Sequence, residues 1–99
     1  MIVVVFEVTM RAGKEQAYFD LAEALRAELE RIDGFISVER FASLSTANKF
    51  VSISTWRDDA AVIAWKEQAE HRAAQAKGKA DIFAAYRIRV AEVMRDNTG

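Results

Sequence analysis

The sequence predicts an α+β domain whose elements follow in the order βαββαβ. Three observations predict it. The N-terminal run Ile2-Val3-Val4-Val5-Phe6-Glu7-Val8-Thr9 is β-branched and almost wholly apolar. Two long stretches carry apolar residues at helical spacing, and between them two alternating runs flank the turn-forming Ser45-Thr46-Ala47-Asn48.

The first strand, Ile2 to Thr9, is apolar on both faces except at Glu7, as a covered central strand would be. Arg11-Ala12-Gly13 makes the turn that follows. From Lys14 to about Ile32, Ala17, Tyr18, Leu21, Ala22, Leu25, Leu29 and Ile32 recur at helical spacing with charges between them, an amphipathic helix covered on one side. Asp33-Gly34 ends it, because glycine takes the left-handed conformation beyond a helix at least cost.

Phe35 to Ser43 has period two, with Phe35, Ser37, Glu39 and Phe41 on one face and Ile36, Val38, Arg40 and Ala42 on the other. Lys49 to Trp56 is the partner strand of a hairpin. Asp58 or Asp59 then caps a second helix, where a carboxylate accepts free amides and complements the helix dipole. That helix is expected to run to about Lys77, with a break or kink on the way, and Gly78 stops it. Ile82 to Met94 is a long last strand, and residues 95–99 are expected to fray. The whole chain, 1–99, reads as one domain.

In about a hundred residues this order is the ferredoxin-like arrangement: a four-stranded antiparallel sheet with both helices on one face. The other face is also apolar along the first strand, and an uncovered patch of that kind marks an interface. A homodimer is therefore expected, two sheets packing face to face as a dimeric α+β barrel.

Composition narrows the chemistry. The chain has 99 residues, 52% of them hydrophobic, and a formal charge of −1 with both signs interleaved. That is enough for one small core and offers no electrostatic case for nucleic acid or an anionic membrane as partner. With no Cys, disulfides and thiolate nucleophiles are excluded, and with only one His a zinc site is not expected. The N-terminal run lacks a basic segment and a cleavage site and is too short for a membrane span, so a cytoplasmic location is expected. There is no Gly-x-Ser-x-Gly elbow, and the four glycines are too dispersed for a phosphate loop.

The site-shaped feature is the run from Trp56 to His71, which holds both tryptophans and the only histidine. It reads as a strand end, a capped turn and a helix. Trp65 among Ala61, Ala64 and Ala69 is either core packing or a pocket wall, since the small neighbours make room for the indole and leave space beside it. Trp56 reads mainly as structural. His71 is the one side chain titrating near neutrality and hence the first candidate for a base. On a regular helix, however, six positions put Trp65 and His71 about 120° apart, while Arg72 shares the face of Trp65.

Glu7 has two readings: a base with a raised pKa if it faces a pocket, or half of an ion pair with Arg87 or Arg89. Ser52 and Ser54 share a strand face with Phe50 and Trp56 and are candidate polar contacts for a ligand. Phe6, Phe83 and Tyr86 are candidate aromatic ones. Tyr86 and Arg87 point to opposite faces, so at most one of them enters a given pocket.

Several blocks carry a resemblance. Asp33-Gly34-Phe35-Ile36-Ser37-Val38-Glu39-Arg40-Phe41, Ser52-Ile53-Ser54-Thr55-Trp56, Ala60-Ala61-Val62-Ile63-Ala64-Trp65, His71-Arg72-Ala73-Ala74-Gln75 and Tyr86-Arg87-Ile88-Arg89-Val90-Ala91 resemble, in order and spacing, segments of the antibiotic biosynthesis monooxygenase (ABM) superfamily. The resemblance runs over nearly the whole chain. It implies a dimeric α+β barrel with a substrate pocket between sheet and helices in each subunit.

It also implies a choice of chemistry. One branch oxidises aromatic or quinol-type substrates with no cofactor: the deprotonated substrate itself reduces O2, and the pocket supplies a base, polar anchors and shelter from water. On that reading His71, Trp65 and Glu7 are the candidate catalytic residues. Phe6, Trp56, Ser52, Ser54, Arg72, Phe83 and Tyr86 are the candidate substrate contacts. The other branch binds and degrades haem, using an Asn on the first strand, a helix Trp and an iron-ligating His. Trp65 matches that Trp and His71 is the available ligand, but the first strand offers Phe6 and Glu7 where the Asn is expected. A third reading, from another class, is a non-catalytic ligand-binding or stress-response dimer.

Overall fold

The computed structural model describes residues 1–75 and 83–99, with side chains described outside residues 69–82. Its elements are β1 (Ile2–Met10), α1 (Glu15–Leu29), β2 (Phe35–Ala42), β3 (Lys49–Trp56), α2 (Asp59–Gln75) and β4 (Phe83–Glu92). The strands form one antiparallel sheet in the order β2-β3-β1-β4. The β-branched β1 sits inside the sheet, bonded on both sides, and this explains why its sequence is apolar on both faces. The fold is the ferredoxin-like one that the element order predicts.

Both helices cover the same side, here the inner face. Val4 of β1 packs with Leu29 of α1, Trp56 of β3 and Ala61 and Val62 of α2, while Val8 and Met10 pack with Tyr18 of α1. Because strand side chains alternate, the even positions of β1 line this inner face and Val3, Val5, Glu7 and Thr9 face outward. Register places Val51, Ile53 and Thr55 of β3 and Arg87 and Arg89 of β4 on the outer face with them. No described helix is long and apolar enough to cross a membrane.

The element boundaries differ from expectation in ways that hydrogen bonding explains. α1 ends at Leu29, not Ile32, because the amides of Arg31 and Ile32 bond the carbonyls of Glu28 and Leu29, tightening the chain into i→i−3 turns. β2 stops at Ala42, where Ser43 N–H donates to the Lys49 carbonyl and closes the hairpin. β4 stops at Glu92 and not Met94; the amide of Val93 still donates to the carbonyl of Met1. Residues 95–99 are exposed and outside any element.

The expected break in α2 is not there; the backbone is helical from Asp59 to Gln75. The expected helix end near Lys77, the stop at Gly78 and the strand start at Ile82 lie outside the described residues.

The period-two reading of β2 also needs correction at its start. The ladder to β3 shifts between Phe35 and Ser37, so Ile36 is an extra, bulged residue. Phe35 thereby joins Val38, Arg40 and Ala42 on the inner face, and its ring meets Trp56 edge-on at 5.3 Å.

Candidate active site

The inner face is built in rows of residues paired across the sheet. One row runs Arg40, Ser52, Phe6, Ile88 from β2 to β4; the next toward the hairpin runs Ala42, Phe50, Val8, Tyr86; the next the other way runs Val38, Ser54, Val4, Val90. Among the described residues, the helices seal this face at Val4, Val8 and Ser54, leave Phe6 and Ser52 half-buried, and do not cover its β4 side. Ile88 and Val90 are half exposed and Tyr86 is 65% exposed, although all three belong to the face that buries Val4 and Val8.

Aromatic rings concentrate at the hairpin end. Phe6 lies 6.0 Å from both Phe83 and Tyr86, and Tyr18 of α1 lies about as far from Phe50 and Phe83. Phe19, the next residue on α1, stands edge-on to Phe50 at 5.3 Å and stays exposed. Phe6, Phe83 and Tyr86, three of the candidate contacts, are thus brought together on one wall. The other end of the face is closed by Trp56 and Trp65.

Trp56 is fully buried, and its indole N–H donates to the Ser54 hydroxyl at 2.9 Å. Two candidate contacts therefore satisfy each other inside the core, and Trp56 offers no surface to a ligand. Ser52, one step along the same face, is half-buried. Trp65 is half-buried against the Trp56 cluster, with the two rings 5.5 Å apart.

Glu7 is on the outer face, opposite from Phe6, Ser52 and Tyr86, so it shares no intramolecular pocket with them. Its ion-pair partner is Lys49 of β3 at 3.9 Å, although Arg87 of β4 stands directly across from Glu7 in the ladder. The side chains of His71 and Arg72 lie outside the described residues. What the backbone shows is that the helix break needed to bring position 71 round to the face of Trp65 is absent. Among the described residues, no group of three or more His, Asp or Glu side chains is placed to hold a metal.

Two inner-face residues escaped the sequence reading. Tyr18 is 4% exposed; burial raises its pKa, and the neighbouring Arg40 guanidinium works against that rise. Arg40 is half-buried and donates from Nη2 to the backbone carbonyl of Ala22 in α1 at 3.2 Å. The alternation put Arg40 with Ile36 and Val38, but nothing in it marked that face as the one beneath the helices.

A separate cleft of about 440 Å³ opens where the end of α1 meets the start of α2, between Arg31, Asp33, Arg57, Ala64 and Gln68. None of the candidate site residues with a described side chain lines it. Its geometry is set by the helix junction: Arg57 holds the Asp33 carboxylate with two bonds of 3.1 and 3.2 Å, and Asp58 caps α2 by accepting the amide of Ala61 at 2.9 Å.

Comparison with known proteins gives this architecture a family. The sequence model described as "Antibiotic biosynthesis monooxygenase" matches residues 1–77. A jasmonate monooxygenase of Pyricularia oryzae is 38% identical over 93 residues, which are 94% of this chain and 43% of that protein; the chain thus spans less than half of its relative. A variant of SnoaB, a cofactor-independent oxygenase from Streptomyces nogalater, superposes with a TM-score of 0.78 at 15% identity, over 96% of this chain and 94% of that one. MhuD, a heme-degrader from Mycobacterium tuberculosis solved with two hemes in its active site, superposes with a TM-score of 0.79 at 16% identity, over 99% and 100%. At such identities the two structures speak for the fold alone. The family match is what assigns the chain: it belongs to the antibiotic biosynthesis monooxygenase family.

Proposed function

We propose that the chain is a small-molecule monooxygenase that oxidises an aromatic, quinol-like substrate without a cofactor, in the space between the inner sheet face and the helices. The observation that carries this reading is the unsealed β4 side of the inner face, where the Phe6, Phe83 and Tyr86 rings stand beside half-exposed Ile88 and Val90. Flat apolar walls of this kind suit a ring system, which would itself cover the exposed Tyr86, Ile88 and Val90 on binding.

In the chemistry proposed, a methylene between electron-rich rings loses a proton, the resulting carbanion reduces O2, and collapse of the peroxide leaves a ketone and water. The protein needs to supply a base and a dry surface. Trp65 is a candidate pocket wall and Ser52 a hydroxyl anchor; His71 is the candidate base as the one imidazole in the sequence, although the unbroken α2 backbone sets position 71 about 120° round the helix from Trp65. The second copy in this reading sits on the outer face, where Val5, Val51 and Ile53 are uncovered.

Haem does not fit the described residues as well. Where the haem-degrading branch carries an Asn on the first strand, the inner-face residue is Phe6, already in contact with two other rings. No step is therefore routed through it.

The test is O2 uptake by purified protein with a panel of hydroxylated anthrones, naphthols and quinols, run beside a haemin titration of wild type and His71→Ala. Uptake with equimolar ketone or quinone formation and no metal requirement supports the proposal. A saturable Soret band that needs His71 and bleaches with reductant and O2 would replace it with haem degradation. Binding without turnover would leave a ligand-binding dimer.

A further inference from the structure

We propose that Arg40 is the specificity-determining residue of the inner-face site and that its ligand carries a carboxylate. This rests on the reading of the inner face as the substrate site. Arg40 points to the side covered by α1, where its Nη2 bonds the carbonyl of Ala22. An arginine carries five N–H donors and a charge that persists at any working pH. Among the described residues no carboxylate pairs with this one, whereas Arg26 and Arg57 each meet an Asp or Glu. A half-buried guanidinium without an anion is an unfavourable thing to keep under a helix. The bond to Ala22 and the interaction with the Tyr18 hydroxyl hold the side chain in place, and with five N–H donors the fork still has groups to offer a ligand.

The row in which Arg40 stands gives the ligand its shape. Arg40, Ser52, Phe6 and Ile88 follow one another across four strands. With strands about 4.8 Å apart, the row is about 14 Å long. It is polar at the β2 end, where a guanidinium and a hydroxyl stand side by side, and apolar at the β4 end, where Tyr86 and Phe83 flank it. A carboxylate takes an arginine fork in the plane of two parallel bonds. A small acid with its charge at one end and a ring at the other matches the row in both polarity and length.

The inference is tested with two probes of one shape, naphthalene-2-acetate and naphthalene-2-acetamide, whose binding to the whole chain is followed by tryptophan fluorescence and calorimetry. Wild type is expected to bind the acid on the order of tenfold more tightly than the amide. In Arg40→Gln that preference falls to about one with amide binding little changed, and Arg40→Lys keeps part of it. Equal binding of acid and amide by wild type overturns the inference while leaving the proposed site standing, and that comparison needs no variant to fold. A preference that survives in Arg40→Gln also overturns it. Failure of both probes to bind wild type overturns the inference and the site together.

Discussion

Trp56 and Trp65 meet with their ring centroids 5.5 Å apart and their planes tilted by 33°, yet only Trp56 is sealed from solvent. Two copies of one residue type, nine positions apart, differ in burial: Trp56 is in the core and Trp65 is half-buried against it. Replacing Trp56 by Phe removes buried volume and strands the Ser54 hydroxyl, so it should cost about 2 kcal/mol or more in chemical denaturation. Trp65→Phe should cost about 1 kcal/mol or less. If Trp65 is a pocket wall, the same change should abolish ligand-dependent quenching of fluorescence, which Trp56→Phe should preserve.

Gly34 has φ +94°, and a Cβ built on it would stand 2.6 Å from the Cβ of Ala61. Gly13 has a similar φ of +80° with nothing within 4 Å. Gly13→Ala should therefore cost only the backbone strain, about 1 kcal/mol, and Gly34→Ala that strain plus about 1–3 kcal/mol of overpacking. Thermal melts of the two variants separate the terms. Equal losses would mean that the α2 start yields without cost.

Asp58 has its pKa held below the ordinary carboxylate value of 3.8, first by the Ala61 amide and then by Arg57. A lowered folded pKa means stability that is present above the unfolded value and is lost as pH falls through the folded one. Asp58→Asn keeps an oxygen for the cap and removes the charge. The melting-temperature gap between wild type and Asp58→Asn should accordingly be widest near pH 6 and close as pH drops below 3.8. A gap that does not change with pH would refute the linkage.

Phe6 and Glu7 are adjacent in sequence and on opposite faces of the sheet. Under the proposed function, Phe6→Ala should lower kcat/KM for an accepted substrate about tenfold or more, since it removes a wall of the site. Glu7→Gln should change it less than twofold. A large loss with Glu7→Gln would return the base to the outer face and require a partner subunit's pocket.

The outer face supplies its own test. Ile53→Asp puts a charge among Val5, Val51 and Thr55, so it should convert a dimer to monomer in analytical ultracentrifugation. An unchanged sedimentation coefficient in a properly dimeric wild type would place the interface elsewhere.

How much of this was legible in the sequence depended on how local the determinant is. The span of β3 and an aspartate cap at Asp58 or Asp59 are set by residues within a few positions, and pattern sufficed for them, whereas Gly34, read as the stop of the first helix, lies beyond its actual C-cap at Glu30. The end of α1 was not legible, because Ile32 keeps helical spacing while its amide has already moved to an i→i−3 partner. The partner of Glu7 was sought on β4 and found on β3: β1 is flanked by both strands, and although Arg87 is paired across from Glu7, it is the Lys49 ammonium that reaches the carboxylate. Arg40 had no sequence signature at all. Its importance follows from α1 lying over β2, and no alternation of residues along one strand contains that fact.

The extra residue at Ile36 has a consequence for how this edge tolerates change. It acts as a phase shifter in the strand: upstream of it the inward and outward assignments are exchanged relative to a regular ladder. Deleting Ile36 would leave the composition of the edge almost intact and turn Phe35 to the outside, away from Trp56. Substitution at this exposed position should be accepted freely, whereas a length change by one residue should not. Along this edge, spacing is guarded more strictly than identity.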